Sequence, residues 1–310
     1  MRVEVNGLDK HFRKVHAVKD LSFAVEPGRV TGFLGPNGSG KSTSMRLMLG
    51  LDNGAGSTLF DGKSLTGHKS VTRVVGAHLD AKFFHPKRTA YAHLRMLGAE
   101  SRVSKARVNE VLQLVGLESV AKKRPGGFSL GMGQRLGLAG AILADPQVLI
   151  LDEPANGLDP QSIQWMRDFL RFYASQGRSV LVSSHLLSEM QLLADDVVVI
   201  ARGSLIAAES MNTFLARSSG SAVKVRTNNV RKLAEALNAE GLALSVNAQE
   251  ELRIPNVTTD QVGDIAFRSG VALLELTAET ASLESVFLEL TESGQEYRVG
   301  VPQSGIGGVQ

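Results

Sequence analysis

Residues 35–43 read Gly-Pro-Asn-Gly-Ser-Gly-Lys-Ser-Thr, three glycines in six positions followed by a lysine and two hydroxyls. Glycine lets a backbone turn several N–H groups into one concavity, which is what a polyanion needs. A helix starting at Lys41 would add its free N–H groups and its positive dipole end. The spacing of Gly35, Gly40, Lys41 and Ser42 is that of a phosphate-binding loop. Gly35, Pro36, Asn37, Gly38, Ser39, Gly40, Lys41, Ser42 and Thr43 are thus the candidate phosphate-contacting residues. Lys41 is expected to reach the β- and γ-phosphates, and Ser42 to offer its hydroxyl to Mg2+.

A second set of oxygen donors stands in "VLILDEP", where Asp152 and Glu153 end an apolar run. Asp152 would hold Mg2+ directly or through water, and Glu153 would polarise an attacking water. Two adjacent acids at a strand exit are commonly plain surface. The glycine loop upstream is what gives them chemistry. Loop and acids together still fit a motor, a transporter ATPase, a GTPase or a small-molecule kinase.

These groups need a frame. The apolar run Val30–Leu34 precedes the glycine loop, and a helical pattern follows from Lys41 to about Leu51. Val148–Leu151, Ser179–Val182 and Val197–Ile200 are further continuous apolar runs, as in buried parallel strands. Segments of helical length separate them, so an α/β domain with a mainly parallel sheet is predicted. Residues 1–27 read as short strands and turns. Val108, Val111, Leu112 and Val115 mark a helix that Gly116 would end, and a small-residue helix is predicted from Gln134 to Leu143.

"ARSSGS" at 216–221 reads as a linker. Beyond it the order β-α-β-β-α-β suggests a small ferredoxin-like α+β domain over 222–300, closed by a helical stripe of Leu283, Val286, Phe287 and Leu290. Residues 301–310 read as a frayed tail.

The 310 residues carry a formal charge of +3, too little to imply nucleic acid by itself. Cysteine is absent, which excludes disulfides and thiolate metal sites and fits a reducing compartment. The N-terminus does not read as a signal peptide, and no stretch reaches the roughly 18 apolar residues that cross a bilayer. Any membrane role would need a separate membrane-spanning chain.

"FSLGMGQRLGLA", then "LILDEPANGLDP", then "VLVSSH" resemble the ATP-binding cassette (ABC) ATPases in order and spacing, over roughly residues 1–215. The resemblance implies an ATPase core with an antiparallel β subdomain and a helical subdomain at about 80–140. It assigns Ser129 and Gly131 to the signature motif, Asn156-Gly157-Leu158-Asp159 to the D-loop and His185 to the switch histidine. Phe12 falls where an aromatic stacks on adenine. Asp80 falls where a glutamine is expected, and could orient water or Mg2+ there. Leu130 and Met132 replace the usual signature glycine and glutamine. These departures, and the ending "SLESVFLELTE", resemble bacterial exporters of drugs or peptide antibiotics.

In such proteins two copies pair head to tail around two ATPs. The implied catalytic groups are Glu153, His185 and Lys41, with ATP and Mg2+ bound. A homodimer would drive a separately encoded permease, from the cytoplasmic face of the membrane, with no nucleic-acid partner. The permease would dock near 80–120, where Phe83, Phe84, Tyr91 and Leu94 could be surface or core. A soluble ABC ATPase of DNA repair or ribosome work is the alternative.

Overall fold

The computed structural model describes residues 1–80, 84, 85, 87–216, 222–247, 251–279, 283, 284, 286 and 287. Phe83, most of the expected linker, Leu290 and the tail 301–310 lie outside the described residues.

The chain opens with two long strands, β1 (Val3–Phe12) and β2 (Val15–Val25), rather than several short ones. Register shifts between Val5 and His11 bend β1 without ending its pairing with β2. The central sheet begins with β3 (Val30–Leu34), followed by the glycine loop and α1 (Lys41–Met48). Strands β4 (Ala55–Phe60) and β5 (Lys63–Ser64) return to the first sheet, whose order is β2-β1-β4-β5, all antiparallel.

A single turn, α2 (Val71–Val74), leads into β6 (Val75–His78). Three helices follow: α3 (Ala90–Leu97), α4 (Lys105–Leu114) and α5 (Leu130–Ile142). The central sheet then continues with β7 (Val148–Leu151), α6 (Pro160–Ser175), β8 (Ser179–Ser183) and α7 (Leu187–Leu193). It ends with β9 (Asp196–Ala201), β10 (Ser204–Ser210) and the short α8 (Met211–Leu215). Its order is β10-β9-β3-β8-β7-β6, with every pairing parallel except that of β10.

All residues of β3, β7 and β8 are buried, as their unbroken apolar runs require. The two-residue period then divides them. Leu149 and Leu151 join Val180, Val182 and the helices α4 to α7 in one core. Val148 and Ile150 join Leu181, Phe33 and the inner face of the first sheet in the other. The parallel sheet is thus a middle layer with its strand ends free.

Helix α5 starts at Leu130, four residues before the sequence reading put it. Ser129 supplies the reason: its hydroxyl accepts from the N–H of Met132 at 3.2 Å and caps the helix. Leu94, left open between surface and core, is fully buried, and Phe84 and Tyr91 pack partly against the same cluster.

The last sheet is built from β11 (Ala222–Thr227), α9 (Val230–Ala239), β12 (Ser245–Val246), β13 (Leu252–Pro255), α10 (Thr259–Arg268) and β14 (Leu273–Glu279). Its order is β12-β13-β11-β14, the ferredoxin-like arrangement. It has its own core, in which Val223 and Val225 meet Leu233, Leu237, Ile254 and Val262. Leu283, Val286 and Phe287 do not belong to that core. They are buried in the cluster of the ATPase body, where the Leu283 N–H donates to Gln191 Oε1 at 2.9 Å.

Candidate active site

The site forms where β3, β7 and β8 end, the position at which parallel sheets bind ligands. After Leu34 the chain turns through the glycine loop into α1. Gly40 is left-handed at φ 105°, and a Cβ there would stand 2.5 Å from the carbonyl oxygen of Ala17. No other residue fits. Lys41 is 7% exposed, and its Nζ donates to the carbonyl oxygens of Gly35 at 2.7 Å and Pro36 at 3.3 Å. Burial pushes its pKa down, while the Glu153 and Asp152 carboxylates oppose that shift. A desolvated ammonium held only by carbonyls favours an arriving anion. The buried Ser39 hydroxyl has no hydrogen-bond partner among the described residues.

Asp152 ends β7 facing this loop. Ser42 Oγ donates to Asp152 Oδ2 at 2.5 Å, and Ser183 Oγ donates to Oδ1 at 2.5 Å. Ser183 also accepts the N–H of Glu153 at 2.9 Å, so one serine aligns both acids. Glu153 Oε2 lies 2.6 Å from His185 Nδ1 and accepts the His185 N–H at 3.2 Å.

Glu153 adopts φ 48°, a left-handed conformation that costs a non-glycine residue about 1–3 kcal/mol. The peptide is gripped from both sides. Ser183 takes its N–H, while Asn156 N–H and Gln134 Nε2 donate to its carbonyl at 3.1 and 3.2 Å. Gln134 is 4% exposed, and its Oε1 meets His78 Nε2 at 2.6 Å. Burial lowers the His78 pKa, so the ring is neutral and donates from Nε2. Gly137, one turn along α5, makes room: a Cβ there would lie 2.0 Å from the His78 ring.

The structure thus joins Lys41, Ser42, Asp152, Glu153 and His185 in one cluster. Phe12 is 48% exposed at the end of β1, with Lys10 Nζ 4.8 Å from its ring centroid. Asp80 is exposed just beyond β6, and the His78 carbonyl accepts the Asp152 N–H at 2.8 Å. Gly131 lies in the first turn of α5 against Gly157 and Leu158 of its own D-loop, and the Leu130 side chain covers Gly157. Asp159 caps α6, accepting the Ser162 N–H at 2.7 Å, and those contacts with Ser162 lower its pKa. Ser183, Gln134 and His78 escaped the sequence reading. The first serine of "SSH" and the glutamine of "GQR" carry no spacing signal of their own.

A donor pair of one hydroxyl and one carboxylate, with no sulfur or imidazole, fits a hard cation such as Mg2+.

Residues 18–156 match the "ABC transporter" family model, and residues 221–284 match a "Domain of unknown function" model. The uncharacterized ABC transporter ATP-binding protein YhcH of Bacillus subtilis is 34% identical over 298 residues, covering 95% of this chain and 97% of that protein. The lantibiotic transport ATP-binding protein SrtF of Streptococcus pyogenes is 34% identical over 205 residues, covering 66% and 89%. Among solved structures, the dimeric MJ0796, a bacterial ABC transporter cassette, has TM-score 0.61 at 21% identity, covering 67% of this chain and 98% of that one. With one relative matched along nearly its whole length and the phosphate loop set at the strand ends, this chain belongs to the ABC transporter ATP-binding proteins, whose cassettes hydrolyse ATP to power transport.

Proposed function

We propose that two copies of the chain clamp two ATP molecules and drive a separate permease that exports a drug or peptide antibiotic. The hydrogen-bonded run Ser42–Asp152–Ser183–Glu153–His185 at the mouth of the glycine loop carries this reading. Residues 1–215 form the ATPase unit and the ferredoxin-like sheet an accessory one.

Lys41 leaves the loop carbonyls for the phosphates when ATP enters. Ser42 and Asp152 would hold Mg2+, which would offset phosphate charge. Glu153 aligns and accepts a proton from the attacking water, while His185 fixes the Glu153 carboxylate. Such preorganised groups contribute roughly 10²–10³-fold each. Ser129 and Gly131, at the exposed and acid-free start of α5, face the phosphate held by the other copy. The exposed ring of Phe12 stacks on adenine. Asp80 borders the same site from β6, and Asp159 reaches it through the D-loop that it closes.

A groove of about 380 Å3 beside Asp80 is lined by Leu51, His78, His93, Leu97 and Gly137. The His93 Nδ1 is buried there without a hydrogen-bond partner among the described residues. A permease segment with one polar group fits that groove. The lantibiotic role of SrtF, on a protein covering the same ATPase unit, supports an antibiotic-like cargo.

The Glu153→Gln variant should bind ATP, lose turnover and double in mass in solution. A single-copy mass at every ATP concentration, with and without the detergent-extracted permease, would remove the clamp. Membranes carrying the tagged chain should yield a polytopic partner that the His93→Ala variant retains less well.

A further inference from the structure

Outside the glycine loop, the described residues hold one group of three metal-ligating side chains: Asp9, His11 and His16, on the hairpin of β1 and β2. The register explains how they meet. Asp9 and His11 are two apart on β1, and His16 is the cross-strand partner of His11. Asp9 offers each imidazole a different oxygen. His16 Nε2 lies 2.7 Å from Oδ2, and His11 Nδ1 lies 3.2 Å from Oδ1. The rings stack with centroids 3.6 Å apart. All three ligand atoms lie within 4.8 Å of one another.

An acid shared by two imidazoles can be a plain hydrogen-bonded cluster. Three features go further. The donors are two nitrogens and one oxygen, the set that suits borderline cations and not hard ones. Metal–ligand bonds of about 2.0–2.2 Å at a tetrahedral centre put ligand atoms about 3.3–3.5 Å apart, so the carboxylate–imidazole distances need change by less than an ångström. The Asp20 N–H, 3.4 Å from Asp9 Oδ2, supplies an outer contact of the kind that orients a ligating carboxylate. Side-chain rotation out of the ring stack completes the approach, and the exposed His11 leaves the remaining positions to water.

We propose that Asp9, His11 and His16 bind a divalent transition cation of the Zn2+ type, independently of nucleotide. The hairpin is preorganised by its strand pairing, so the site closes by side-chain movement alone.

The full chain, stripped with a chelator and free of nucleotide, would be titrated with Co2+ and then Zn2+. One equivalent of Co2+ should give a visible ligand-field band that Zn2+ displaces. The His11→Ala/His16→Ala double variant, left with one protein ligand, should lose the band and the one-equivalent step of the titration. His185→Ala should keep the band. In the unaltered chain, long-range proton–nitrogen spectra should show Zn2+ shifting His11 Nδ1 and His16 Nε2. Unchanged affinity in the double variant, a band lost only with His185, or imidazole nitrogens that ignore millimolar Zn2+ would each overturn the site.

Discussion

At residue scale the proposed catalytic end rests on side chains that align its two acids. Ser183 ties the carboxylate of Asp152 to the peptide of Glu153 with one hydroxyl. The Ser183→Ala variant should therefore weaken the Mg2+ dependence of turnover by about 10–100-fold while leaving the fold's melting point within a few degrees, as read from Mg2+ titrations of ATPase rate. Glu153 was legible as an acid after a strand, and Lys41 and Ser42 from glycine spacing. The left-handed φ of Glu153 was not. It follows from contacts with Ser183, Gln134 and Asn156, and no local pattern encodes partners 30 and 19 residues away.

At element scale the contact between β6 and α5 couples the signature helix to the acids. Gly137 sits where any Cβ would enter the His78 ring. Gly137→Ala should cost about 1–3 kcal/mol in denaturant unfolding, and His78→Ala should recover part of that loss in the double variant. His78 also gives the contact an acid sensitivity. Burial, the leading cause, holds its pKa below the ordinary imidazole value, against the hydrogen bond to Gln134 and the charges of Asp80 and Asp152. The unfolded chain then binds a proton that the folded chain refuses, so stability falls as pH drops below that ordinary value and is full above it. His93, also depressed by burial, adds in the same direction. His78→Gln should flatten the stability–pH slope by up to about 1.4 kcal/mol per pH unit. Continuous apolar strands such as β7 were legible to the residue because burial on both faces leaves no other pattern. The start of α5 was not, since Leu-Gly-Met-Gly has no helical stripe and only the Ser129 cap defines it.

At the scale of the whole molecule, the last described helical residues return to the first body. The sequence showed Leu283, Val286 and Phe287 as a stripe but could not show which core it faces, because that is set by distant partners. Phe287→Ala should cost roughly 3–5 kcal/mol. The loss should appear in the nucleotide-protected unfolding transition and leave the core around Val225 and Leu237 unchanged, as followed by hydrogen exchange. One more consequence concerns synthesis. A ribosome makes the ATPase body before the accessory sheet, yet three of that body's interior side chains follow the sheet in the chain. The nascent cassette must wait, incompletely closed, while the accessory sheet is made, so a premature stop after that sheet would leave a chain with its glycine loop and both acids present and its interior unfinished.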